Sequence, residues 1–354
     1  MPESPEKAGV VGKYRVVRKL GEGGMGVVYE AENTFTGKRV AIKRLHPQLL
    51  ADQRSVERFI REARVAARVR HPNVVDLYDV DSDRDGPFLV MEYLEGESLA
   101  SYLEHGRPSL RAILTLLCPA MRGAAAAHKK GIVHRDIKPE NIFLAREEDD
   151  RPATPKVLDF GVSKLMTPES SALRLTRTGA LVGTPGYMSY EHLAGMELDQ
   201  RTDVYSFGVI LFEALTGHHP YGSASFPVLL GMMVTRDPTP LRTYRPDLSV
   251  TLERVITSAL QKNRDQRTPS LDALIAELTP FLREPLPSPV LPPRSERPRP
   301  NFAHPAELIR APAASAWTVA PPRAPARHRQ PVLWLVAMAT LAGILVGWLL
   351  FRLR

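Results

Sequence analysis

The chain has 354 residues, a formal net charge of +8, one cysteine and 32 prolines. Residues 284–354 carry nine arginines against three glutamates, +6 of that charge, so the remainder is near neutral and offers no nucleic-acid footprint. The lone thiol, Cys118, excludes an internal disulfide, and its setting in the apolar run 113–118 reads as a buried structural cysteine.

In chain order, residues 1–13 read as a disordered lead without the apolar stretch of a cleavable signal. β-Branched and aromatic runs predict strands at 14–19, 27–31, 39–45 and 87–93. One helix interrupts them over 56–69, with Phe59, Ile60, Ala63, Ala66 and Ala67 along one face. Beyond Gly96 helical periodicity dominates to about residue 283. The fold class is therefore α+β, a small β-rich lobe (14–93) followed by a larger α-rich lobe (94–283).

Thirteen prolines fall within 284–331, a stretch too poor in apolar groups to offset its ordering entropy, and it reads as a disordered linker. Val332–Phe351 is twenty residues without a charge. At about 1.5 Å per residue that is enough to cross a hydrocarbon layer of roughly 30 Å as one transmembrane helix. Trp334 and Trp348 near its ends fit interfacial anchoring. With no export signal ahead of it, the expectation is a single-pass C-terminal anchor in the cell inner membrane, with the folded region in the cytoplasm. Gly343 and Gly347 form a GxxxG that can pair two spans into a homodimer, although two glycines four apart also arise by chance.

Gly21-Glu22-Gly23-Gly24-Met25-Gly26-Val27 fits G-x-G-x-x-G-x-V. Val27-Val28-Tyr29-Glu30-Ala31 continues it as a strand, whereas a dinucleotide site continues as a helix. The glycines then sit at a hairpin tip, where backbone N–H groups can approach phosphate oxygens. One strand on, Val40-Ala41-Ile42-Lys43 aims an ammonium under that hairpin, and Glu62 on the following helix is its expected partner. His134-Arg135-Asp136-Ile137-Lys138-Pro139-Glu140-Asn141 and Asp159-Phe160-Gly161 follow in order.

With these motifs, residues 14–283 resemble the protein kinase family, motif by motif most like its bacterial eukaryotic-like (Hanks-type) serine/threonine members. The resemblance implies the bilobal protein kinase fold, with ATP and Mg²⁺ (Mn²⁺ substituting) as cofactors. The implied reaction is phosphorylation of serine and threonine hydroxyls on cytoplasmic proteins, in signalling. By the same resemblance Gly21, Glu22, Gly23, Gly24, Met25, Gly26, Val27, Val28 and Ala41 surround the nucleotide. Backbone groups of Glu92 and Leu94 bond the adenine edge, with Met91 behind it. Lys43 and Glu62 serve the phosphates, Asp136 accepts or orients the hydroxyl proton, and Lys138 reaches the moving phosphoryl group. Asn141 and Asp159 are hard oxygen ligands for the metal. Lys138, with Gly183-Thr184-Pro185-Gly186-Tyr187 downstream, marks the serine/threonine-directed class.

Asp203 is expected to brace the catalytic loop, and Arg267 to pair with Glu191. Thr176 and Thr178 are expected phosphosites, one copy phosphorylating another in trans, with Arg135 binding the phosphate. Two departures bear on packing and loop rigidity: Ser189-Tyr190-Glu191 stands for Ala-Pro-Glu, and Asn263–Arg267 lacks its usual proline. A pseudokinase usually lacks one of Lys43, Asp136 or Asp159, and all three stand here. The other alternative is a membrane-tethered adaptor acting through PxxP segments such as Pro289–Pro292.

Overall fold

A computed structural model of the chain describes residues 9–23, 26–146, 152–160, 185–222 and 226–282. The first lobe is built on β1 (Val10–Val11), β2 (Tyr14–Gly23), β3 (Gly26–Asn33), β4 (Arg39–Leu45), β5 (Leu77–Asp83) and β6 (Gly86–Glu92). They form one antiparallel sheet in the order β1-β2-β3-β4-β6-β5. Period-two alternation sends Val40 and Ile42 of β4 to one face, where they pack with Val11, Tyr14 and Phe88. The expected disordered lead is therefore too long. Val11 is buried and pairs with Tyr14, so order begins before residue 13. β5 was not expected from the sequence, because its three aspartates, at 79, 81 and 83, suit a sheet edge better than a core.

α1 (Gln53–Ala66) starts three residues before the predicted helix. Asp52 caps it, accepting the Arg54 N–H at 3.2 Å and the Ser55 hydroxyl at 2.6 Å. Its inner face, Phe59 and Ala63, packs on Leu45 and Leu89 of the sheet. Ala67, expected on that apolar face, is exposed at the C-cap, because the helix has already ended.

The second lobe opens with a small antiparallel sheet of β7 (Gly96–Ser98), β8 (Ile142–Ala145) and β9 (Thr154–Val157). Its helices include α2 (Leu99–Glu104), α3 (Leu110–His128), α4 (Arg201–Thr216), α5 (Phe226–Thr235), α6 (Val250–Ala259) and α7 (Leu271–Leu278). Four of them begin on a serine hydroxyl, that of Ser98, Ser109, Ser249 or Ser270, each accepting the N–H three residues on. α3 and α4 form the centre. Nearly all of α4 is buried, and complete burial of Phe207 and Phe212 contributes about 1.5–3 kcal/mol each. Among the described residues α3 alone is long and apolar enough to cross a bilayer, and most of it is buried in this core. Cys118, on α3, is buried as expected, and burial pushes its thiol up to about 11. The linker and the span expected at 332–351 lie outside the described residues.

Candidate active site

β2 and β3 meet as a hairpin, with Gly21 opposite Val28, Glu22 opposite Val27 and Gly23 opposite Gly26. A strand does follow the glycines, as their neighbours implied. Gly24 and Met25 at the tip lie outside the described residues. The three described glycines are not alike. A Cβ on Gly21 or Gly23 would meet nothing within 4 Å, which leaves their backbone open to a ligand. A Cβ on Gly26 would stand 1.8 Å from the Arg44 carbonyl oxygen, so glycine is needed there for β3 to approach β4. Glu22, expected at the nucleotide, has its carboxylate on Lys19.

Val28 lies opposite Lys43 in the β3–β4 ladder, and Ala41, buried, opposite Glu30. Lys43 shares the face of Ala41 and is only 8% exposed. Its ammonium lies 2.7 Å from Asp159 Oδ1. Glu62, the expected partner, is carried by α1, and its side chain lies outside the described residues. Burial alone would push the Asp159 carboxyl up. Lys43, helped by His134 and Lys138, outweighs it and holds the group below the usual carboxylate range.

The catalytic loop is positioned by α4. Asp203, fully buried, accepts the backbone N–H groups of His134 and Arg135, both at 2.8 Å. His128 Nε2–H donates to the same carboxylate at 2.7 Å. These bonds hold Arg135 in the left-handed region at φ +66°, a cost the surroundings must bear. His134 accepts the Asp136 N–H at 3.2 Å and donates to the Leu158 carbonyl at 2.6 Å. Asn141 Nδ2 donates to the Asp136 carbonyl at 2.8 Å and to its carboxylate at 3.3 Å. That leaves the amide oxygen of Asn141 as an acceptor. Lys138 Nζ sits 3.2 Å from Asp136 Oδ2. The Leu158 N–H bonds the Asn141 carbonyl at 2.9 Å and brings Asp159 alongside. Lys43 with Asp159, and Asn141 and Lys138 with Asp136, thus form two contact groups, joined through the Leu158–Asn141 backbone bond.

Glu92 and Leu94 lie where the lobes join, Leu94 in the irregular stretch between β6 and β7. The Glu92 N–H already donates to the Asp76 carbonyl at 2.9 Å, and its carboxylate accepts Lys156 at 2.9 Å. Of the two expected structural sites, Asp203 is described above, and Arg267 clamps Glu191 at 2.7 and 3.0 Å with both side chains buried. Ser189-Tyr190-Glu191, without the usual proline, leads into a one-turn helix, Tyr190–Leu193. Gly161, Gly183, Thr184, Thr176 and Thr178 lie outside the described residues. Among the described residues no three His, Cys, Asp or Glu side chains gather to hold a metal. Asp159 and Asn141 offer two oxygens, the number suited to a cation that takes its other ligands from phosphates and water.

The family model described as protein kinase domain matches residues 14–278. Serine/threonine-protein kinase Pkn1 of Myxococcus xanthus is 40% identical over 266 residues, covering 74% of this chain and 37% of that protein. Pkn3 of the same organism is 39% identical over 283 residues, covering 78% and 52%. PrkC of Bacillus subtilis is 32% identical over 271 residues, covering 76% and 40%. The chain thus spans between 37% and 52% of the length of these relatives. In fold it is similar to the crystal structure of the Mycobacterium tuberculosis PknI kinase domain. The TM-score is 0.61 at 24% identity, over 78% of this chain and 99% of that one.

Proposed function

Because the chain belongs to the protein kinase family, we propose that it transfers the terminal phosphoryl group of ATP to serine and threonine hydroxyls of other proteins. The observation that carries the reading is Lys43 on Asp159 at 2.7 Å and Asn141 and Lys138 on Asp136 at 3.3 and 3.2 Å, the two groups joined by the Leu158–Asn141 backbone bond. The relatives' names, serine/threonine-protein kinases, support the acceptor class.

ATP with bound Mg²⁺, or Mn²⁺ in its place, supplies the phosphoryl group and draws charge from it. Asp159 and the amide oxygen of Asn141 are the residues to hold the metal. Lys43 stands beside Asp159 to neutralise phosphate charge, and the open faces of Gly21 and Gly23 admit the phosphates. Asp136 takes the hydroxyl proton on its carboxylate, while Lys138 sets a positive charge next to it. Asn141 keeps the Asp136 side chain aimed. Asp136→Asn should lower phosphate transfer to a generic basic protein by about a hundredfold or more, with folding unchanged. Undiminished transfer in that variant would sink the assignment.

The same reading takes in Thr176 and Thr178 as autophosphorylation sites and residues 332–351 as a membrane anchor through which two copies can pair. The first is supported by Arg135, whose buried Nε has no partner among the described residues. The second is supported by twenty uncharged residues in a row.

A further inference from the structure

Several described arginines are held by carboxylates. Those at the edges of the sheet and around α4 are ion-paired: Arg15 with Glu32, Arg39 with Glu30, Arg201 with Asp199, Arg245 with Asp247. Arg61, Arg64 and Arg68, exposed along α1 and the turn after it, have no ion pair among the described residues. Spaced three and four apart, they share one face, and like charges at these spacings oppose the helix that carries them.

Around them lies an open cavity of about 600 Å³, lined by these three arginines with Glu57, Ile60 and Val65. Ile60 and Val65 are half-buried and give it an apolar wall. The positive band continues past the helix, for the Lys130 ammonium donates to the Arg68 carbonyl. Arg122 and Lys129 add to it beside His71, although Lys129 also meets Asp272 at 3.0 Å.

We propose that the outer face of α1 is a docking site for an acidic protein segment that carries an apolar side chain. Guanidinium forks match carboxylates in pairs, and the apolar group rests on Ile60 and Val65. An anionic bilayer fits less well, because the site is concave. The opposite face of α1 packs on Leu45, at the end of the strand carrying Lys43, so a bound segment restrains that strand.

The test uses the full chain and a short fluorescent peptide of glutamate, aspartate and leucine, read by anisotropy at low salt. The expected result is binding that weakens with salt and falls by about tenfold or more in R61E/R64E/R68E. Exchanging the peptide's leucines for serine should weaken it likewise. Melting temperature reports whether the triple variant folds; should it not, R64E alone takes its place with a smaller loss expected. Equal affinity of wild type and variant, no binding by wild type, or full binding of the serine peptide would each overturn the proposal. A charge-reversal effect confined to anionic vesicles would assign the face to a bilayer and overturn it too.

Discussion

Two glycines of one motif do different jobs. Gly26 is enforced by its neighbour strand, since a methyl there would collide with the Arg44 carbonyl, while Gly21 faces open space. Gly26→Ala should therefore cost stability, about 1–3 kcal/mol, read as a lower melting temperature. Gly21→Ala should melt close to wild type and raise the KM for ATP. Equal melting temperatures for all three proteins would remove the distinction. The motif itself was legible in the sequence, because it is local and ordered. Which glycine serves packing was not, since that depends on a strand eighteen residues away in the chain. The same limit governs Lys43. Its motif named it as a phosphate ligand, but that its ammonium meets Asp159, 116 residues further on, is a fact of the fold, and the pairing expected with Glu62 rests on a side chain outside the described residues.

Among elements, the Glu191–Arg267 bridge ties the one-turn helix Tyr190–Leu193 to the segment between α6 and α7. Burial works against ionisation of Glu191, but Arg267 outweighs it and holds the carboxyl below its ordinary 4.5. A carboxyl lowered on folding contributes stability that is complete above its unfolded value and disappears as pH falls through the folded one. Arg267→Ala strands a buried carboxylate, to which Thr202 still donates at 3.1 Å, and should cost about 3–5 kcal/mol at neutral pH. The gap in melting temperature between wild type and variant should be widest near pH 7 and narrow below about pH 4. A gap that ignores pH would show that the bridge is not its source. This pair was readable from its motif residues, as was the bracing role of Asp203. The start of α1 was also written in the sequence, at Asp52 and Ser55, but as a cap ahead of the first apolar residue. β5 was not readable, because an edge strand rich in aspartate carries neither clean alternation nor an apolar run.

For the whole molecule, the two-lobe plan followed from the change of hydrophobic period near Gly96, a signal summed over many residues. Placement of the first lobe's start was off by a few residues because two valines suffice to add a strand when one of them is buried. If residues 332–351 anchor the chain, fractionation should find the full-length protein with membranes and a chain ending at residue 331 in the soluble fraction. Full-length protein in the soluble fraction would defeat the anchor. That experiment is independent of phosphotransfer, so either property can fail without the other.

Asp203 makes one further demand on the molecule. A carboxylate in the middle of the lobe grips the loop just before Asp136 by two backbone N–H groups. Asp203 sits in α4, which is buried almost throughout, so the grip depends on the packing of that helix. On the proposed function, loss of turnover on warming should then coincide with collapse of the helical lobe, as activity and circular dichroism followed in one melt would report.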